Sequence, residues 1–145
     1  MFSFSRSILK IKRVLRFYFS ADSLERAFNN IIIKSALSSA RSTEGGLYAD
    51  KICNLIGEKQ ELSQLWGYVD GVLKSFSESE CAVLEEYANM RTGIKELCEE
   101  KRRNIRRIAV KFVRRARRLE SFDTALGLVG KYYCLINDSG YLSGR

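Results

Sequence analysis

The chain contains no proline and no histidine among its 145 residues, and each absence removes a class of answer. At an average usage of about 5%, roughly seven prolines are expected. Their absence argues against a collagen-like, polyproline or proline-punctuated all-β chain and makes helices the expectation. Without histidine the chain lacks the side chain most often used as a general base near neutral pH, which is also the commonest metal ligand. Histidine-based triads and helix-borne zinc motifs are therefore excluded. The four cysteines, Cys53, Cys81, Cys98 and Cys134, include no Cys-x-x-Cys pair that would clamp zinc and fit reduced thiols of a cytosolic protein. No apolar run approaches the ~18 residues of a membrane span, and the basic start lacks the unbroken apolar stretch of a signal peptide. The expectation is a soluble, cytoplasmic, all-α protein with no cofactor, metal or small-molecule substrate.

What the chain does have is unevenly placed charge. Lys and Arg number 25 against 17 Asp and Glu, a net charge of +8. Residues 1–20 carry +5, residues 21–100 carry −6, residues 101–118 carry +10 and residues 119–145 carry −1. One segment of eighteen residues thus exceeds the whole net charge. A hydrophobic share of 46% with 11% aromatics is ample for a folded core, so wholesale disorder is excluded.

Along the chain, Ile8, Ile11, Leu15 and Tyr18 recur at spacings of three and four, with Lys10, Lys12, Arg13 and Arg16 on other faces. This predicts a short basic amphipathic helix, read as a docking helix in preference to a membrane-surface anchor or a transit peptide. Asp22 and Glu25 resemble a capping box opening a helix to about Arg41, with Leu24, Phe28, Ile31 and Ile32 on its apolar side. Ser42–Gly46 reads as a linker. Then Tyr48, Ile52, Leu55, Lys59, Leu62, Trp66, Val69, Leu73 and Phe76 alternate steps of four and three. Such a stripe can form a coiled-coil seam joining two copies, but Gly57, Gly67 and Gly71 each cost a helix about 1 kcal/mol, which favours a long helix inside a bundle, with Trp66 in the core. Tyr132 and Tyr133 read as part of a closing helix rather than as base-stacking residues, and Asp138–Arg145 as a frayed tail. The organisation expected is an N-terminal helical module over 1–68, a helix-turn-helix over 69–122 and a C-terminal helix and tail over 123–145, in one compact unit.

The middle of these carries the functional signal. Ser77 and Glu80 form a capping box before Val83, Leu84 and Tyr87 on a short helix. Ile94, Leu97 and Cys98 fit a second short helix ending near Glu100. Asn104, a good N-cap residue, opens a third helix expected to reach Phe122, with Ile105, Ile108, Phe112, Leu119 and Phe122 on one side. Two short helices, a turn and a longer basic helix make a helix-turn-helix pattern. Off the apolar stripe lie Arg102, Arg103, Arg106, Arg107, Lys111, Arg114, Arg115, Arg117 and Arg118. Pairs such as Arg103 with Arg107 and Arg114 with Arg118 repel at i,i+4. A polyanion relieves that repulsion: duplex DNA carries about one negative charge per 1.7 Å, and arginine suits both phosphate and the O6/N7 edge of guanine. The plainer account is a solvated face balanced by the −6 of residues 21–100.

Residues 69–119 resemble the promoter-reading C-terminal helix-turn-helix of bacterial sigma factors and the related phage-type regulators. The resemblance is carried by Leu73 and Phe76 before Ser77-x-x-Glu80-x-x-Val83-Leu84-x-x-Tyr87, and by Ile105-Arg106-x-Ile108-x-x-Lys111-x-x-Arg114-Arg115. It implies a transcription regulator of the bacterial nucleoid, in which Arg102, Arg103 and Arg106 read base edges and Lys111 and Arg114 lie nearer to phosphate. RNA polymerase and a second copy of the chain join double-stranded DNA as candidate partners. Two departures stand out: Lys101 or Asn104 occupies the place where the family holds Ser or Thr, and Arg103 aligns with an acidic residue that helps the family read its promoter. No counterpart of the sigma region that grips polymerase is recognisable. The competing expectation is a helical interaction module whose basic helix docks on an acidic protein surface or on RNA. Asp50, Asp70, Glu85 and Glu86 have no spacing that places them in a cleft, so no enzyme is expected.

Overall fold

In the computed structural model, residues 4–41, 45–90 and 96–137 are described, with side chains over 11–38, 49–90 and 96–132. Among them the three-and-four apolar spacings fold into six α-helices and a 3₁₀ turn, with no strand. The helices are α1 (Phe4–Phe19), α2 (Ala21–Arg41), α3 (Gly45–Leu73), α4 (Glu78–Asn89), α5 (Glu99–Arg115) and α6 (Asp123–Asn137), with the 3₁₀ turn at Leu119–Phe122 between α5 and α6. The all-α class read from the missing prolines is the class observed.

α1 lies against α4, α5 and α6 as well as against the α2–α3 pair. Ile11 and Leu15 of the expected stripe are buried together with Val14 and Phe17, so these residues of α1 belong to the protein's own core; the Ile8 side chain lies outside the described residues. Two cations of α1 serve the same seat. Lys12 Nζ stands 5.6 Å from the centre of the Tyr87 ring, and Arg16 Nη1 donates to the Ala88 carbonyl at 3.4 Å. Burial, and then the Arg16 charge, lower the Lys12 pKa.

Ser20 alone separates α1 from α2, and its amide closes the α1 end on the Arg16 and Phe17 carbonyls. Asp22 therefore sits in the first turn of α2 instead of capping it, and favours the helix through its charge near the N-terminus. α2 and α3 run antiparallel: Lys59 pairs with Glu25 and Asn29, while Tyr18, before α2, meets Trp66 and Asp70. α3 begins at Gly45, so the two glycines placed in a linker open the helix.

The long stripe is mostly core. Leu55, Leu62, Val69, Leu73 and Phe76 are buried. Trp66 is half-buried, stacked on Tyr18 with centroids 5.1 Å apart, and its Nε1 donates to the Tyr18 carbonyl at 3.1 Å. Leu65, off that stripe, is fully buried. α6 closes the bundle: Val129 is buried, and Tyr132 meets Phe28 edge-on at 4.7 Å while its hydroxyl donates to Glu58. The Tyr133 side chain and residues 138–145 lie outside the described residues.

The basic helix differs from its expected bounds at both ends. It starts at Glu99 with Cys98 as N-cap, not at Asn104, which is exposed within the helix and accepts from Arg107. Glu99 and Glu100 in the first turn favour this earlier start through the helix dipole. Leu97 and Cys98 consequently belong to the approach to α5 and not to a separate helix ending near Glu100; Ile94 lies outside the described residues. The helix ends at Arg115, short of Phe122. The chain turns at Ala116, the Tyr68 hydroxyl accepts from the Arg118 amide at 3.0 Å, and Leu119 re-enters the core.

Two stability outcomes follow from this packing. Leu65→Ala leaves a cavity at the α3 centre and lowers unfolding stability by about 2–5 kcal/mol in urea titrations. A side-chain methyl at exposed Gly67 meets nothing within 4 Å, so Gly67→Ala raises stability by about 0.5–1 kcal/mol in the same assay.

Candidate nucleic-acid interface

α5 is seated by one apolar seam. Ile105, Ile108, Ala109 and Phe112 are buried, and they fall on one side of a helix that turns about 100° per residue. The opposite side therefore faces outward, and it carries Arg103, Arg107, Val110 and Arg114, with Arg106 on one flank and Lys111 and Arg115 on the other. Together these seven residues line a shallow, open groove of about 590 Å³.

The cations of that groove do not all stand free. The α3–α4 corner holds the Lys111 flank. Ser77 caps α4: its Oγ accepts from the Glu80 amide at 3.2 Å, and its own amide donates to Glu80 Oε1 at 3.0 Å. Lys111 Nζ then donates to both oxygens of the same carboxylate, at 2.9 and 2.7 Å. Both Lys111 Nζ and the Arg115 guanidinium stand over the Phe76 ring, 4.9 and 5.0 Å from its centre, and Phe76 in turn meets Phe112 at 6.2 Å. Arg115 Nη1 donates to the Ser75 carbonyl and hydroxyl at 2.8 and 2.7 Å. Lys111 and Arg115 are thus fastenings of α5 to the corner.

Of the remaining residues singled out from the sequence, Arg103 bonds Glu99 at 2.7 Å in an exposed i,i+4 pair, and Arg107 bonds Asn104 at 2.8 Å. Exposed pairs of this kind are worth roughly 0.2–1 kcal/mol and open easily. Arg102 is half-buried beside the seam. Arg106 and Arg114 are exposed on the groove, Arg118 is exposed on the turn beyond the helix, and none of their side chains has a partner among the described residues. Arg117 Nε donates to the Arg114 carbonyl at 3.1 Å and caps the helix end.

Arg102 and Arg103 are the fourth and fifth residues of α5 and Arg106 is the eighth. Glu99 and Glu100 precede them, with Glu96 just upstream, so carboxylates flank the start of the helix and the exposed cations of the groove run from Arg103 to Arg115. Val110, Ser75 and Phe76 were not among the candidate site residues. Val110 was findable as a lone apolar residue among cations, whereas the roles of Ser75 and Phe76 depend on the tertiary fold.

A second cleft, of about 210 Å³, lies between α1, α2 and α3, but its ammonium group, Lys59, is already taken by Asn29 and Glu25. Among the described residues no cluster of His, Cys, Asp and Glu is placed to hold a metal ion, and no helix is long and apolar enough to cross a membrane. The chain matches no protein family, no curated protein and no solved structure.

The Lys111 hydrogen bonds, and next the Ser77 amide, hold the Glu80 carboxyl down to about 2 from its ordinary 4.5. A group held lower in the folded state stabilises the fold fully above its unfolded value and loses that contribution as pH falls. The urea midpoint of the native chain is accordingly expected to drop between about pH 4.5 and about pH 2. Glu80→Gln, which keeps the cap acceptor, flattens the profile across that window.

Proposed function

We propose that the chain binds double-stranded DNA by laying the outward face of α5 in a groove, as a transcription regulator of the sigma-like helix-turn-helix kind. The observation that carries this reading is the row of Arg106, Arg107 and Arg114 along an open groove, three guanidinium groups that no carboxylate of the described residues pairs with. Arg118 extends the row beyond the helix end.

The electrostatics favour a polyanion over a scattered set of acidic side chains. Seven of the ten cations of residues 101–118 are arginines on or next to one helix surface, and the others are Lys101, Lys111 and the capping Arg117. Lys101 pairs loosely with Glu86 at 3.9 Å and Lys111 is held by Glu80, so the mobile, strongly hydrated ammonium groups are the engaged ones. Among the arginines, Arg115 is held at Ser75, Arg103 bonds Glu99 and Arg102 is half-buried, while the planar forks of Arg106, Arg107, Arg114 and Arg118, which suit phosphate and guanine bidentately, are exposed. Self-neutralisation by the acidic middle segment does not account for this. Among the described residues, the carboxylates that reach α5 cations are Glu80, Glu86 and Glu99, and only Glu99 touches an arginine of the outward face.

This reading moves the expected insertion from residues 104–122 to α5 itself, and from its acidic first turn to its middle. It needs neither a cofactor nor a catalytic step. RNA polymerase and a second copy of the chain remain proposed partners of the regulator.

The test is a fluorescence-anisotropy titration of the full chain with a labelled duplex across salt concentrations. If about six phosphates are neutralised, log affinity falls against log salt with a slope near −5. The triple variant Arg106→Ala, Arg107→Ala, Arg114→Ala lowers the slope by about 3 and leaves the far-UV circular dichroism unchanged. No duplex binding at low salt, or equal loss of helicity and binding in the variant, overturns the proposal.

A further inference from the structure

We infer that Val110 reads a thymine methyl group in the major groove, with Arg106, Arg107 and Arg114 around it, so that the chain prefers a duplex site containing one required thymine. The inference rests on the DNA-binding reading above.

Val110 is the one apolar side chain lining the α5 groove, between Arg106, one turn before it, and Arg114, one turn after it. It is half-buried, yet it belongs neither to the buried core nor to the partly buried residues packed against that core, which on α5 include Val113. The residues that line the groove with it are all cationic. Among the described residues, no packing role in the core accounts for a valine here. A β-branched residue has lower helix propensity than the straight-chain residues around it, and Val110 stands on the side of the helix opposite the seam of Ile105, Ile108 and Phe112. An apolar floor ringed by guanidinium groups does match one partner surface. The major groove presents thymine as a C5-methyl group and guanine as the N7 and O6 acceptors that arginine takes bidentately.

Spacing along the helix is compatible with this. Four residues rise about 6 Å, close to two base-pair steps of about 3.4 Å. Arg106 and Arg114 then fall roughly two base pairs to either side of the base under Val110 when α5 lies along the groove. Arg107 holds Asn104 through Nη2 and keeps its other donors for a base or phosphate. The same argument separates DNA from RNA. The major groove of an RNA duplex is too deep and narrow for side-chain readout, and uracil lacks the methyl group.

The experiment starts from duplexes enriched out of a random DNA library by the full chain at moderate salt. Each thymine of an enriched duplex is then replaced in turn by deoxyuridine, which removes one methyl group and leaves charge and pairing unchanged. At one thymine the substitution is expected to weaken binding about 4-fold, the worth of one buried methyl. In Val110→Ala that penalty disappears while the salt slope stays the same, because no cation is lost. Enrichment of no sequence, no deoxyuridine penalty at any position, or a penalty that persists in Val110→Ala overturns the assignment of Val110 and leaves the DNA-binding reading standing. Absence of any duplex binding by the native chain overturns both.

Discussion

The contact between Phe112 of α5 and Phe76 at the α3–α4 corner determines which way the arginines face. A helix bearing so many like charges is opposed by its own repulsion, since every i,i+4 pair of cations costs a few tenths of a kcal/mol. Burial of Ile105, Ile108, Ala109 and Phe112 offsets this, because a fully buried large aliphatic or aromatic side chain contributes about 1.5–3 kcal/mol. Once the seam is inside, the helical period leaves Arg103, Arg107 and Arg114 no direction but outward.

The corner also decides which cations are available. Phe76 offers its ring face to Lys111 and Arg115, Glu80 takes the Lys111 ammonium, and Ser75 takes the Arg115 fork. The capping box that starts α4 thereby doubles as the latch for α5. One carboxylate ties the position of the basic helix to the integrity of the helix before it. The rest of the bundle supports this arrangement from behind: α1 packs against α4, α5 and the α2–α3 pair, with its Lys12 and Arg16 turned onto Tyr87 and Ala88.

Much of this was legible in the residues themselves. The apolar spacings located most of the helices, the Ser77–Glu80 pair marked the start of α4, and the charge run fell on the helix that presents its cations outward. The limits of α5 were not legible, for identifiable reasons. Asn104 is a good cap in isolation, but Glu99 and Glu100 suit a first turn as well, and local rules do not rank the two. At the other end Leu119 is still in phase with Phe112 seven residues earlier, so periodicity continues where the helix stops; the Tyr68 hydroxyl, fifty residues away in sequence, takes the Arg118 amide instead. The division of the cations into fastened and outward groups was equally hidden, because Glu80 lies 31 residues from Lys111 and Ser75 lies 40 from Arg115. Charge counting finds the set, and only the fold sorts it.

The most direct measurement is the response of the arginine Nε–H NMR signals of the full chain to a short DNA duplex. Signals of Arg106, Arg107 and Arg114 are expected to shift together and saturably, while that of Arg26, exposed on α2, stays in place. Shifts confined to α1 or α2, or uniform shifts across every exposed arginine, would contradict the claim that the outer face of α5 is built for a phosphate strand.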